Sequence, residues 1–281
     1  MRKSSKKTDL WLPASYDDLN NLPRDTFLFI PRWGSKVVRT QPGVVIKYIG
    51  NFDEEVNCMT FARRHLSSVR IPRVLHHPGN ARNRAYWNPL TIPKVWYLCM
   101  EEIPGQRLED VIGTMTETQL RHIASQLRAL LDEMKSIKSR TLGSVTGGPF
   151  RNQYFFLYVL EPRFAWENTA EFINHYRALL NCLGNSDYTE KILSPLPCNS
   201  AIRFSHGDLV PKNIIVDGST ITGVVDWAMA GFYPEFWEYC RMHVNGSSSS
   251  NWDTVLDLVF PTPRRVPEIM AVTRLFNILT Q

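Results

Sequence analysis

The chain has 281 residues, 43% hydrophobic and 21% charged, with a formal net charge of +5. That profile belongs to a globular protein able to bury a core, and the length suits two lobes. No apolar run approaches the ~20 residues of a membrane span, and the basic start MRKSSKKT runs into DLWLPASYDDL instead of an apolar signal core. A cytoplasmic protein without membrane attachment is therefore expected. Four of the positive charges (Arg2, Lys3, Lys6, Lys7) crowd the first seven residues. No basic stripe alternates with aromatics, so nucleic acid is not an expected partner, whereas a phosphorylated ligand would use the same surplus. The five cysteines (Cys58, Cys99, Cys182, Cys198, Cys240) form no CxxC pair and read as reduced, buried thiols, not as a disulfide framework or zinc site.

In chain order, residues 37–40 and 44–49 flank Gln41-Pro42-Gly43 and read as a hairpin. Residues 53–66 read as a helix with a thin apolar stripe. Residues 78–93 look like a hairpin excursion or loop, and 95–103 (VWYLCMEEI) is a buried strand ending before Pro104-Gly105. The second half is mainly helical. Thr116 with Gln119 makes a capping box, opening a helix whose Leu120, Ile123, Ala124, Leu127, Leu130, Leu131, Met134 and Ile137 recur at helical spacing. Residues 143–149 form a glycine-rich loop, 164–183 a further helix, 245–250 a surface loop, and the tail from Val266 a weakly amphipathic helix. There are no internal repeats.

The chemistry concentrates in FSHGDLVPKNIIVDGSTITGVVDWAMAGFYPEFWEY, residues 204–239. Residues 214–216 and 221–225 read as hairpin arms, which brings Asn213 and Asp226 out side by side, with Asp208 on the loop entering the hairpin. Two carboxylates that close repel unless a cation sits between them. A hard divalent ion, Mg²⁺ or Mn²⁺, suits such oxygen ligands and leaves positions for phosphate. H-G-D-L-V-P-K-N also matches the kinase catalytic-loop signature H-x-D-L-x-x-x-N, and Asp226-Trp227-Ala228 stands where protein kinases carry D-F-G. That template asks for a strand lysine paired with a helix glutamate. Lys47 in VVIKYI and Glu55 fit by order and spacing, with Glu54 the alternative partner. Taken singly, Lys47 reads better as an edge-strand lysine facing water and Glu55 as part of a solvated helix face; their order and spacing relative to the 206–226 block reverse that.

The chain resembles the aminoglycoside phosphotransferase and choline kinase-like superfamily, which shares the protein-kinase fold. The blocks at 206–214 and 226–239 bring it closest to the fungal branch, and the similarity extends to Lys47-Tyr48, IPRV at 71–74, MEEIPG at 100–105 and GSVTGGP at 143–149. The resemblance implies a bilobal α+β fold, with a small antiparallel N-lobe (1–103) that binds nucleotide and a mainly helical C-lobe (104–281) that holds catalysis and substrate. It implies that Asp208 is the catalytic base, and that Asn213 and Asp226 are the metal ligands. Lys47 would contact phosphate, held by Glu55; the backbone of Met100, Glu101, Glu102 and Ile103 would receive adenine; and His206 would support the catalytic loop. The co-substrate is then ATP and the acceptor a small-molecule hydroxyl. Departures are Val210, Lys212 and Ala228, and the lack of a GxGxxG, for which Trp33-Gly34-Ser35-Lys36 would have to serve. A protein kinase and a catalytically silent nucleotide-binding scaffold are the rival readings; the complete set of Asp208, Asn213 and Asp226 argues against the scaffold. The faces of the aromatic run 232–239 would suit a cationic or planar acceptor, but packing of the helical lobe is the stronger reading.

Overall fold

The computed structural model describes residues 10–29, 35–50, 52–79, 95–151, 162–244 and 249–279. The chain forms two compact units, Met1–Asp53 with Arg73–Glu102, and Glu54–Pro72 with Ile103–Gln281. The first holds a short helix α1 (Tyr16–Asn20) and strands β1 (Phe27–Phe29), β2 (Lys36–Gln41), β3 (Val44–Tyr48), β4 (Val74–His76) and β5 (Tyr97–Glu101). They make one antiparallel sheet in the order β1-β2-β3-β5-β4. The β2–β3 hairpin turns at Pro42-Gly43, where Gly43 sits at φ 77°, a conformation that favours glycine. Alternate residues of β3, Ile46 and Tyr48, pack with Leu19, Val38, Tyr97 and Cys99 into the core of this unit. The 78–93 excursion lies outside the described residues except for Pro78 and Gly79.

The second unit is mainly helical. Helix α2 (Asp53–His65) packs here from Glu54 onward: Cys58 Sγ lies 3.3 Å from Ala230 O, and the Phe61 ring meets Phe204 and Phe232. After β6 (Gln106–Arg107) and α3 (Leu108–Val111) comes α4 (Glu117–Ser136), opened by the Thr116/Gln119 capping box and burying Leu120, Ile123, Ala124, Leu127, Leu130 and Met134. Leu131 is only half-buried. Helix α5 (Thr169–Leu183) starts five residues later than the sequence suggests, because the Asn168 side chain caps it by accepting from Glu171 N–H. Phe164, assigned to that helix from the sequence, is 77% exposed ahead of it.

Helix α6 (Ser186–Leu193) leads to β7 (Ile202–Ser205), β8 (Ile214–Asp217), β9 (Thr220–Val224) and β10 (Gly231–Pro234), then α7 (Phe236–Met242), α8 (Ser250–Val259) and α9 (Val266–Leu279). Strands β7 and β10 pair, and β6 joins the β8–β9 hairpin. The serine run does not stay a loop, since Ser249 is the N-cap of α8; residues 245–248 lie outside the described residues. Tyr233, Phe236, Trp237 and Tyr239 are buried with Phe172, Tyr176 and Val272, so this aromatic run packs the helical core. All five cysteines are free; Cys58, Cys99 and Cys240 are buried, whereas Cys182 and Cys198 are exposed. Among the described residues no helix is long and apolar enough to cross a membrane.

Candidate active site

The loop from β7 into β8 is built around a buried histidine. His206 Nε2 donates to Val225 O at 3.1 Å, and its Nδ1 accepts the Asp208 N–H at 3.2 Å. Burial pushes its pKa down, against the opposing pull of Asp208 and Asp226. A neutral ring with one donor and one acceptor is what these two bonds require. The edge of His206 packs on Trp227, 4.5 Å between centroids. Gly207 sits at φ +78°, and a Cβ there would stand 2.6 Å from Met229 O, so only glycine fits between His206 and Asp208.

The hairpin register pairs Ile214 with Val224, and Val225 N–H donates to Asn213 O at 3.0 Å, which sets Asn213 and Asp226 at the same open end. The turn is Gly218-Ser219, with Gly218 at φ 57°. Asn213 Nδ2 donates to both the backbone oxygen and Oδ2 of Asp208, at 2.8 and 3.0 Å. Lys212 Nζ lies 2.9 Å from Oδ2, and Arg241 Nη2 donates to Oδ1 at 3.0 Å. Asp226 occupies the left-handed region, φ 64° and ψ 62°. Among the described residues there is no group of three or more His, Cys, Asp or Glu that could hold a metal. The Asp226 carboxylate and the Asn213 amide are nevertheless oxygen donors of the kind a hard divalent cation takes. Because the Asn213 N–H groups point inward to Asp208, its amide oxygen is the atom left for such an ion.

In the first unit, Lys47 lies on the central strand β3 and is 7% exposed, which removes the reading of an edge-strand lysine in water. Its ammonium stands 6.0 Å from the Phe52 ring. Met100 is buried and Glu101 and Glu102 are half-buried. Glu101 N–H donates to Arg73 O and Glu102 N–H to Gly43 O, both at 2.9 Å, and the Glu102 carboxylate pairs with Arg39. Ser35 Oγ donates to Ile49 O at 2.9 Å, while Trp33 and Gly34 fall outside the described residues. In the second unit Ile103 is buried, and so are both Glu54 and Glu55; neither glutamate is on a solvated face.

Residues 24–257 match the model of the phosphotransferase enzyme family, APH. The chain belongs to this family. Solved structures with the same fold include a thermostable mutant of aminoglycoside phosphotransferase APH(4)-Ia in ternary complex with AMP-PNP and hygromycin B, 17% identical over 90% of this chain and 85% of that one, TM-score 0.61. They also include ADP-bound APH(2'')-Ib, 14% identical over 90% and 84%, TM-score 0.61, and the GDP and kanamycin complex of APH(2")-IIia, 14% identical over 90% and 82%, TM-score 0.55. No curated protein is similar to this chain at the level of sequence. The fold is therefore the α+β protein kinase-like fold, with an antiparallel sheet in one unit and helices in the other.

Two groups of this phosphotransferase were not singled out from the sequence. Glu238 and Arg241 lie one turn apart on α7, buried among aromatic residues. Glu238 Oε2 accepts the Gly207 N–H at 3.0 Å, and Arg241 Nε donates to Gly207 O at 2.9 Å. Burial pushes the Glu238 pKa up to about 7, opposed by the N–H groups of Gly207 and His206 and by Arg241. A signal was present, since a buried charge must be paired. The helix FWEYCRM carries Glu238 and Arg241 at i, i+3 in an otherwise nearly apolar run.

Proposed function

We propose that the chain is an ATP-dependent phosphotransferase that moves the γ-phosphoryl group to a hydroxyl of a small molecule. The observation that carries this reading is the carboxylate of Asp208. A carboxylate offers about four lone-pair sites. Asn213 and Lys212 occupy those of Oδ2 and Arg241 occupies one of Oδ1. Among the described residues the second lone pair of Oδ1 is not taken, and it can accept from an acceptor hydroxyl. Asp208 takes that proton as the new O–P bond forms and the bond from the γ-phosphorus to the leaving ADP oxygen breaks. Mg²⁺ or Mn²⁺ held through Asn213 Oδ1 and Asp226 would supply charge neutralisation on the phosphates. Lys47 serves the same end from the sheet. Adenine is received at the segment Met100, Glu101, Glu102 and Ile103. With the amides of Glu101 and Glu102 already donated internally, it must use other groups there. In this reading residues 1–103 carry the nucleotide and 104–281 the chemistry and the acceptor.

Support comes from the family match and from relatives whose solved complexes hold a nucleotide analogue with hygromycin B, or GDP with kanamycin. The fungal assignment rests on the two sequence blocks alone, and a cytoplasmic setting on the free thiols. The test is Asp208→Asn. Transfer should fall by ~10²–10⁴-fold, the range of a general base, with ADP affinity by calorimetry within about twofold of wild type. Activity within a few-fold of wild type would remove Asp208 from this role.

A further inference from the structure

We infer that Arg241 is the positioning residue for Asp208, tying its carboxylate to the helical body of the unit; the inference rests on the phosphotransferase reading above. Arg241 is 3% exposed, and a guanidinium so placed is costly unless its donors are engaged. Two donors of its rigid fork reach consecutive residues, Nε to Gly207 O at 2.9 Å and Nη2 to Asp208 Oδ1 at 3.0 Å. The Phe276 ring of α9 lies 4.1 Å from the guanidinium carbon and fixes the plane of the fork. Glu238, one turn earlier, accepts the Gly207 N–H, so both polar groups of Gly207 are held by α7 at a residue with no room for a Cβ. The other side chains on the Asp208 carboxylate, Lys212 and Asn213, come from the same short loop and move with it. Arg241 comes from another element, 33 residues on, so among the described residues it alone references the carboxylate to the packed helices.

Displacing a reacting group by about 1 Å can cost ~10²-fold in rate. Arg241→Met should therefore lower turnover at saturating Mg·ATP by about 10–100-fold while leaving the affinity for ADP within about twofold. Because methionine removes the buried cation that acts on Glu238 and can destabilise the fold, Glu238→Gln with Arg241→Met is made beside it, and Arg241→Lys restores the charge without the fork. Mg·ATP turnover is measured with water and with a panel of hydroxylated metabolites as acceptors, in wild type, these variants, Asp208→Asn and Asp208→Asn with Arg241→Met. Amide exchange at Gly207 and Asp208 is followed in the same proteins. A positioning role predicts that Arg241→Met adds almost nothing to Asp208→Asn and that lysine rescues only in part. Additive losses, full rescue by lysine, or turnover within twofold of wild type in Arg241→Met would overturn it. If wild type turns over nothing on the panel, the phosphotransferase reading fails and exchange decides the clamp. Faster exchange at Gly207 and Asp208 in the methionine variants supports it, and unchanged exchange overturns it.

Discussion

Asp226 is held at φ 64°, ψ 62°, where a residue with a side chain pays about 1–3 kcal/mol relative to an ordinary conformation. Asp is among the residues that tolerate this region best, and strain of this sort survives where a side chain must be aimed. Two substitutions separate the backbone from the carboxylate. Asp226→Gly should be more stable than Asp226→Ala by thermal melting, since glycine accepts the positive φ. Both should lose Mg·ATP affinity in calorimetric titration, because the carboxylate has gone from each. Unchanged affinity in both variants would mean that Asp226 serves only to end the hairpin. Lys47 and Glu55 make a second pair of predictions. If they act together, Lys47→Ala lowers transfer strongly and adding Glu55→Ala costs little more, whereas additive losses point to Glu54. Asn213 and Asp226 were legible as neighbours because they flank the two arms of one hairpin, but the register was not: the turn falls at Gly218-Ser219, and a one-residue shift between Ile215 and Val216 is what carries Asn213 opposite Val225. Burial does not separate Glu55 from its alternative Glu54, since both are buried although they point about 100° apart around the helix.

At the level of elements, α4 shows how a helix is read correctly and what the reading omits. Twenty residues with one apolar stripe and a capping box leave little doubt about such a helix, and its buried positions follow the 3.6 period. Its polar side carries a contact that the stripe does not announce. Glu133 accepts the hydroxyl and N–H groups of Ser67 and Ser68 at 2.6–3.0 Å, pinning the chain that leaves α2. Partial burial pushes the Glu133 pKa up, but the four hydrogen bonds outweigh it and bring it to about 2, from 4.5. A folded-state pKa below the unfolded value means stability that is present above pH 4.5 and lost as pH falls toward 2. Glu133→Gln should therefore melt below wild type at neutral pH, with the gap closing between those two values. A gap independent of pH would show that the charge is irrelevant. By contrast α6 and α8 escaped the sequence reading, since each is short and begins at a polar cap, Asn185 or Ser249, the latter inside the serine run read as a loop. Glu238 and Arg241 escaped for the opposite reason: in an aromatic run that packs the helical lobe, two charges show no role until their partners at Gly207 are known.

For the molecule as a whole, the question is what size of acceptor the chain is built to take. Protein kinases carry an activation loop between D-F-G and A-P-E, and its phosphorylation orders the site. Here the corresponding stretch is short and already structured. Asp226 leads into a 3-10 turn at Trp227–Met229, then directly into β10, whose Gly231–Pro234 pairs residue by residue with β7 before α7 begins. Residues 227–234 contain no serine or threonine. Strand β10 is buried along its length and paired with β7, so Gly231–Pro234 is not an open platform for a peptide. Helices α5, α6, α7 and α9 share the core that takes up the aromatic run. The bacterially made protein should accordingly phosphorylate a low-molecular-weight hydroxyl compound without prior treatment by another kinase. Labelled ATP is supplied with a metabolite panel that includes hygromycin B and kanamycin, and in parallel with a peptide library, before and after phosphatase treatment of the enzyme. A phosphorylated metabolite whose yield phosphatase does not change is the expected result. Robust peptide labelling with no metabolite product would sink the small-molecule reading, and loss of activity on phosphatase treatment would show that a switch lies elsewhere in the chain.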